Sequence, residues 1–473
     1  MRPVRFHNTL GRRLETLQPR SPDAVRVYTC GPTVYNFVHI GNFRTFLFED
    51  VLRRCLRYLG YRVEQVMNLT DVDDKIIRGV QESGESIDEF TRPFIDGFFE
   101  DLDTLHIERA EHYPLATGHI PEMIELIEAL VDRGHAYPAD GSVFFRIASD
   151  EDYGKLSGAD PEAGRRGERV AEDDYDKEDV RDFVLWKAAK PGEPSWESPW
   201  GPGRPGWHVE CSAMSMRYLG ESFDIHCGGV DNIFPHHENE IAQSESATGR
   251  PFASIWLHSE HLIVEGEKMS KSLGNFYTLK DLLAKGCSPR ALRFLLLSTH
   301  YRKKLDFTFA GLEEREAALR RLDELRFRLA HAVEGEEPSA EVAARLARFE
   351  EELGAVLADD LNVPGALGVL FTFVREANVW IEGSALGHGD RERILAALGR
   401  LDTVLGVLDP AAWPVVEGAG EGPADAQVES WIAERRKARE DRDWARADEL
   451  RDRLAAAGIV LEDTPQGTRW KRR

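Results

Sequence analysis

The sequence predicts an α/β protein. It reads as a parallel sheet interrupted by an insertion, then an all-α helical bundle, then a small C-terminal unit. Three observations carry this. A strand–turn–helix–strand run occupies residues 25–69. Strand-like text resumes at residue 223 after a long acidic and Pro/Gly/Trp-rich interval. From Ser288 onward apolar residues recur at helical spacing with few breaks. At 473 residues the chain exceeds one ordinary core, so several domains are expected.

Val25 to Thr29 alternates like a strand and runs into the turn signal Gly31-Pro32. Phe43, Phe46, Leu47, Val51, Leu52, Leu56 and Leu59 form a helical stripe that Gly60 is placed to end. Val63, Val66 and Leu69 mark the next strand. Such a run implies a right-handed crossover and a Rossmann-like sheet, with ligands beyond the carboxyl ends of the strands. Cys30, His39 and Thr70 fall near those ends. Residues 120–133 read as an amphipathic helix and 141–147 as a strand. Residues 150–182 are acidic and Gly-rich, and Pro191 to Trp200 is a loop of the long kind that usually carries function. Phe223 to His226 resumes the sheet and Gly228-Gly229 breaks it. Helices are expected over 311–332, 340–358, 364–380 and 391–407, a bundle. Residues 417–425 read as a linker, followed by helices near 427–439 and 443–457 and a closing stretch at 459–463.

Composition narrows the class. Hydrophobic content of 42% and charged content of 30% fit a globular protein, and no stretch reaches the length of a membrane span. The first residues lack the apolar core of a signal peptide, and five scattered cysteines make poor material for a disulfide framework. Both features lead to the expectation of a cytoplasmic protein. The net charge of −23 opposes nucleic-acid binding only on average, because phosphate contacts are local. Arg435 to Arg439 and Arg469 to Arg473 are locally basic.

Three strings carry chemistry. His39-Ile40-Gly41-Asn42 stands at a helix start, where backbone N–H groups favour an anion and Gly41 allows close approach. Lys268-Met269-Ser270-Lys271-Ser272 lies between Gly266 and Gly274, a cationic loop suited to closing over a triphosphate. In Phe234 to Glu240, Pro235 suits the first position of a helix, and His236 and Glu240 stand four apart on one face. With thiolates from distant Cys30 and Cys211 they would suit a zinc site. Cys55, Cys227 and Cys287 read as small buried hydrophobes. Asp73-Asp74 reads as a carboxylate pair at a helix start rather than a metal site.

These strings resemble the class I aminoacyl-tRNA synthetases. Residues 39–42 match the HIGH signature in three of four places, Asn42 replacing its second histidine, and residues 268–272 match KMSKS fully. Tyr28–Tyr35, Asn68–Lys75, Gly206–Met214, Phe234–Glu240 and Asp463–Trp470 are similar to the cysteine-specific members of that family. The resemblance implies ATP-dependent ligation of L-cysteine to tRNA(Cys) through an adenylate, with Mg²⁺ accompanying ATP. It implies one Zn²⁺ on Cys30, Cys211, His236 and Glu240. It implies ATP contacts from His39, Gly41, Asn42, Lys268, Met269, Ser270, Lys271 and Ser272, with His39, Asn42, Lys268 and Lys271 stabilising charge during the reaction. Gly31, Thr70, Trp207, Asp231 and His237 would line the cysteine pocket, with His208 near the zinc ligands. A monomer is the family default.

The implied organisation is a catalytic domain in two halves, 1–119 and 206–257, around a connective insertion at 120–205. The KMSKS and stem-contact region follows at 258–310, then an anticodon-binding-type bundle at 311–414, a linker at 415–426 and a tRNA-reading unit at 427–473. A paralogous ligase joining cysteine to an amino sugar shares the zinc pocket and both ATP motifs but lacks the last unit. A non-catalytic zinc-bearing RNA-binding relative would not need an intact KMSKS string. Val428 to Trp470 and Lys268 to Ser272 favour the synthetase reading over these two.

Overall fold

The computed structural model describes residues 2–158, 179, 181–270, 273–413, 425–457, 459–464 and 467–472. The chain divides into two units, Met1–Trp413 and Pro414–Arg473.

The first unit is organised around a four-stranded parallel sheet. Its strand order is Ala253–Ser259, Phe223–Gly229, Val25–Thr29, Val63–Met67. Sequence places two of these strands before the insertion and two after it, yet they form one sheet. The order reverses between Val25–Thr29 and Phe223–Gly229, and such a switch point opens a crevice beyond the carboxyl ends of the strands. The expected strands at 25–29 and 63–69 appear as Val25–Thr29 and Val63–Met67. Gly228 and Gly229 extend their strand rather than break it. Gly228 and Gly229 pair with His258 and Ser259 on one side, whereas the Val25–Thr29 pairing ends at Cys227, so the ladder with Ala253–Ser259 carries the backbone through the glycines.

The helix Ile40–Tyr58 packs its apolar stripe on this sheet, and Leu59 caps it just before Gly60. Asp50, fully buried on that helix, accepts from Arg293 at 2.7 Å and from Arg54 at 2.9 Å. Arg293 lies on the helix Pro289–Leu297 and also donates to the carbonyls of Leu105, His106 and Leu405.

The insertion builds a second, antiparallel sheet in sequential order from Ala136–Ala139, Ser142–Phe145, Phe183–Ala188 and Gly203–Pro205. Only the second of these strands is legible in the sequence. Ala136–Ala139 contains Pro138, which suits it to the edge position that it takes. Most of the acidic stretch at 150–182 lies outside the described residues.

The bundle consists of Phe309–Ala330, Ala340–Leu357, Val363–Glu382 and Asp390–Leu405. The second unit holds helices Asp425–Glu440 and Trp444–Ala456 over Val428, Trp431, Ile432, Leu450 and Leu454. Its closing stretch is half of an antiparallel hairpin, Ile459–Thr464 with Gly467–Arg472. The second strand escapes sequence reading because its charged residues show no clear period-two pattern.

Candidate functional site

The crevice at the switch point collects the predicted donors. Cys30 follows the strand Val25–Thr29 directly, and Cys211 lies in the second turn of the helix Trp207–Leu219. His236 precedes the helix Glu238–Thr248, and Glu240 stands in its first turn. Pro235 is therefore not the first residue of an α-helix: Ile233–His237 forms a wider π-type turn, with Phe234 extended at φ −140° and ψ 131°. The four-residue spacing survives this change, since His236 Nε2 lies 3.0 Å from Glu240 Oε1. The two ligand-bearing helices are tied by Ser212, whose hydroxyl donates to Gln243 at 2.7 Å.

Among the described residues two overlapping donor sets occur, Cys30/Cys211/His236/Glu240 and Cys30/His226/His237/Glu240, each with its ligand atoms within 4.8 Å of one another. All six side chains are buried. Cys30 Sγ lies 3.3 Å from His237 Nε2, and His226 Nε2 lies 2.9 Å from Glu240 Oε2. Burial pushes Glu240 well up and His236 and His237 well down. Burial and the neighbouring Cys211 push the Cys30 thiol up. Neutral imidazoles, two thiols and a carboxylate converging in a buried pocket suit a zinc ion, whose charge offsets the cost of ionising the sulfurs.

A layer of imidazoles backs the donors. His208 Nδ1 is 2.9 Å from His236 Nδ1, and His237 Nδ1 is 2.8 Å from His258 Nε2. His258 meets Thr9 Oγ1 at 2.7 Å. Burial holds His208, His226 and His258 down to about 3, so each is neutral. Sequence reading passes over His258 and Thr9. The one available signal is that His258, like Cys30, lies at the carboxyl end of a parallel strand.

Of the expected pocket residues, Trp207 and His237 touch this cluster, and Gly31 follows Cys30 in the chain. Trp207 is stacked on His236 with centroids 4.1 Å apart, yet remains 45% exposed, so it marks the open side. Thr70 is buried; its N–H donates to the Pro32 carbonyl and its carbonyl accepts from Val34 N–H. Gly31 donates to Asn68 Oδ1 at 3.0 Å, and a Cβ there would lie 1.8 Å from the Asn68 carbonyl oxygen, so no other residue fits. Asp231 is exposed, and its charge reaches His39.

His39 caps the helix Ile40–Tyr58. Its Nδ1 accepts from Asn42 N–H at 3.3 Å, while Asn42 Oδ1 accepts from His39 N–H at 3.1 Å. An accepting Nδ1 leaves the proton on Nε2, free to donate outward. Burial lowers the His39 pKa against the pull of Asp231, so the donor is neutral. A Cβ on Gly41 would lie 2.9 Å from His39 Nδ1 and 3.0 Å from Met269 Cε, so the two signature strings meet over this glycine. Ile40 N–H donates to the Tyr277 carbonyl, which ties the segment after the lysine loop to the same point. Lys268 is exposed, and Asn275 binds the loop through Ser270 N–H at 2.8 Å and the Lys268 carbonyl at 3.3 Å. Lys271 and Ser272 lie outside the described residues.

Among the described residues Asp73 and Asp74 belong to no metal-type cluster. Asp73 caps the helix Asp74–Ser83 by accepting from Ile76 N–H, and Asp74 pairs with Arg204 and Lys187.

Three family models match the chain. "tRNA synthetases class I (C) catalytic domain" covers residues 16–317, "DALR domain" 348–409 and "Cysteinyl-tRNA ligase anticodon binding domain" 423–470. The cysteine–tRNA ligase of Solibacter usitatus is 49% identical over 470 residues, spanning 99% of this chain and 100% of that protein. That of Protochlamydia amoebophila is 47% identical over 480 residues, spanning 99% and 98%. Among solved structures, Mycobacterium tuberculosis methionyl-tRNA synthetase in complex with methionyl-adenylate superposes with a TM-score of 0.59 at 17% identity. That match covers 86% of this chain and 95% of the other and establishes a shared fold. With a class I catalytic fold, both signature strings at one crevice and full-length similarity of this degree, the chain belongs to the cysteine–tRNA ligase family of class I aminoacyl-tRNA synthetases.

Proposed function

We propose that this chain ligates L-cysteine to tRNA(Cys) through a cysteinyl-adenylate. The observation that carries the reading is the convergence of two thiols, an imidazole and a carboxylate beside a helix N-terminus bearing the ATP signature. Cys30, Cys211, His236 and Glu240 are the set favoured for zinc. They include His236, which lies under half-exposed Trp207, whereas His226 and His237 lie fully buried behind them. Bound there, zinc supplies a preference for a thiol side chain over a hydroxyl by lowering the thiol pKa. That preference matters because pocket shape alone separates such near-isosteres only about ten- to a few-hundred-fold.

The chain's own residues supply positioning and charge. Trp207 walls the pocket, Gly31 and Thr70 form its floor, His237 backs Cys30, and the Asp231 carboxylate receives the substrate ammonium. The cysteine carboxylate attacks the α-phosphate of ATP, which enters with Mg²⁺, and pyrophosphate leaves. His39 Nε2–H and the helix N-terminus behind Gly41 and Asn42 meet the phosphates, and Lys268 and Lys271 stabilise the charge that grows on them. Met269, Ser270 and Ser272 complete the loop over the nucleotide. The terminal ribose hydroxyl of the tRNA then takes the aminoacyl group and AMP departs.

The residues 1–119 and 206–257 serve as catalytic halves, 120–205 as the connective insertion and 258–310 as the KMSKS and stem-contact region. The bundle at 311–414 and the unit at 427–473, joined by 415–426, serve the tRNA. In this reading the protein acts as a cytoplasmic monomer, as the family resemblance implies. Cysteine-dependent ATP–pyrophosphate exchange, followed by charging of total tRNA, tests the reading. Absence of exchange with cysteine, or equal exchange with serine, overturns it.

A further inference from the structure

The insertion does more than connect two halves of a sheet. Its segment at 150–158 touches the ligand-bearing helix Glu238–Thr248, and the contacts fall on the residues lying between the proposed ligands. Glu238 is 1% exposed. Its Oε2 accepts from Ser157 N–H at 2.7 Å and its Oε1 from Leu156 N–H at 3.3 Å. Asn239, equally buried, accepts through Oδ1 from the Tyr153 hydroxyl at 2.5 Å. Lys155 pairs with Glu245 further along the helix, and Arg12 holds the Ser157 carbonyl at 2.9 Å. His236 and Glu240 face the cluster, while Glu238 and Asn239 between them face the insertion.

This arrangement matters because His236 and Glu240 lie on either side of a change in backbone geometry. Phe234 is extended inside the turn Ile233–His237, and regular α-helix begins only at Glu238. His236 lies in the π-type turn and Glu240 in the first turn of the α-helix, with the Glu238 N–H donating to the Ile233 and Pro235 carbonyls at the junction. The buried carboxylate on two backbone N–H groups is a strong, directional anchor at this point.

We propose that Tyr153 and Glu238 are positioning residues: together they clamp the His236–Glu240 segment, and through it the insertion sets how firmly the site holds zinc and cysteine. The proposal rests on the ligand assignment above. Its test uses full-length Tyr153→Phe and Glu238→Gln proteins, with Cys211→Ala as a ligand variant. Zinc per chain, zinc release to a chromophoric chelator, KM for cysteine and for ATP in pyrophosphate exchange, and the melting temperature are measured. The clamp predicts zinc release about tenfold faster or more, as removal of supporting groups behind metal ligands does. It predicts a raised KM for cysteine, an unchanged KM for ATP and near-normal melting. Tyr153→Phe keeps the ring and loses one hydroxyl, so it decides the matter even if Glu238→Gln does not accumulate. Unchanged zinc release and KM overturn the clamp, and so does lowered melting without a change in either. A wild-type chain without zinc, or a Cys211→Ala chain that holds as much as wild type, overturns the ligand assignment and the clamp with it.

Discussion

Lys271 is the residue on which the charge argument bears most directly. A cation placed where phosphate charge develops contributes only as that charge grows. Lys271→Ala is expected to cut cysteine-dependent pyrophosphate exchange about 10²–10³-fold, with cysteine affinity kept; loss of cysteine binding in equilibrium dialysis would contradict that role. Glu49 presents the opposite case, a carboxylate with no evident work. It is 1% exposed beside Cys227, and neither oxygen meets a hydrogen-bond partner among the described residues. Burial pushes its pKa well above the ordinary carboxylate range. The folded chain thus keeps a proton that the unfolded chain gives up above pH of about 4.3. Its stability penalty grows as pH rises through the interval between those two values and is absent below it. Glu49→Leu is expected to stabilise the chain by about 1–3 kcal/mol at pH 8 and by less at pH 5. Urea midpoints at the two pH values check this; an equal gain at both would show that ionisation plays no part.

The helix Ile40–Tyr58 shows how one element joins both ends of the catalytic unit. Its N-terminus carries the His39–Asn42 cap, and its middle carries Asp50, paired to Arg293 in a fully buried contact. Burial raises the Asp50 pKa, but Arg293 and Arg54 outweigh it and hold the carboxyl below its ordinary value. Its contribution is therefore present above the unfolded carboxylate value and lost as pH falls through the lower folded value. Asp50→Ala leaves Arg293 buried without its carboxylate and is expected to cost about 3–5 kcal/mol, measured by chemical unfolding. A loss under about 1 kcal/mol would show that the Leu105, His106 and Leu405 carbonyls suffice for Arg293. The position of this helix is legible in its sequence, because its apolar stripe and Gly60 are local signals. The partner of Asp50 is not, because Arg293 is 243 residues away.

At the scale of the whole chain, the proposed function assigns catalysis and RNA reading to separable parts. The Pro414–Arg473 unit has its own apolar core around Val428, Trp431 and Leu450. Trp431 sits in that core with Arg453 4.1 Å over its ring, whereas Trp444 is 60% exposed. Truncation after Pro414 is expected to keep pyrophosphate exchange within about twofold of the full chain and to weaken tRNA charging by at least about tenfold, as loss of stacking and backbone contacts would. Charging kinetics with purified tRNA check this, and normal charging by the shortened chain would remove the unit from RNA reading.

By itself, the sequence determined the class of fold and the two signature strings, each through a local signal such as a period, a turn residue or a short string of fixed spacing. The set of four candidate metal donors came from the family resemblance, since Cys30 and Glu240 stand 210 residues apart. Tertiary structure decided the rest. It joined strands separated by the insertion into one sheet and placed the switch point beside Cys30. It stacked His258 and His226 behind the donors, and it turned the register of Glu238 and Asn239 toward Tyr153 and Ser157. The reason is physical: periodicity reports which face of an element is apolar, whereas the partner of a buried polar group is fixed by distances between segments far apart in the chain.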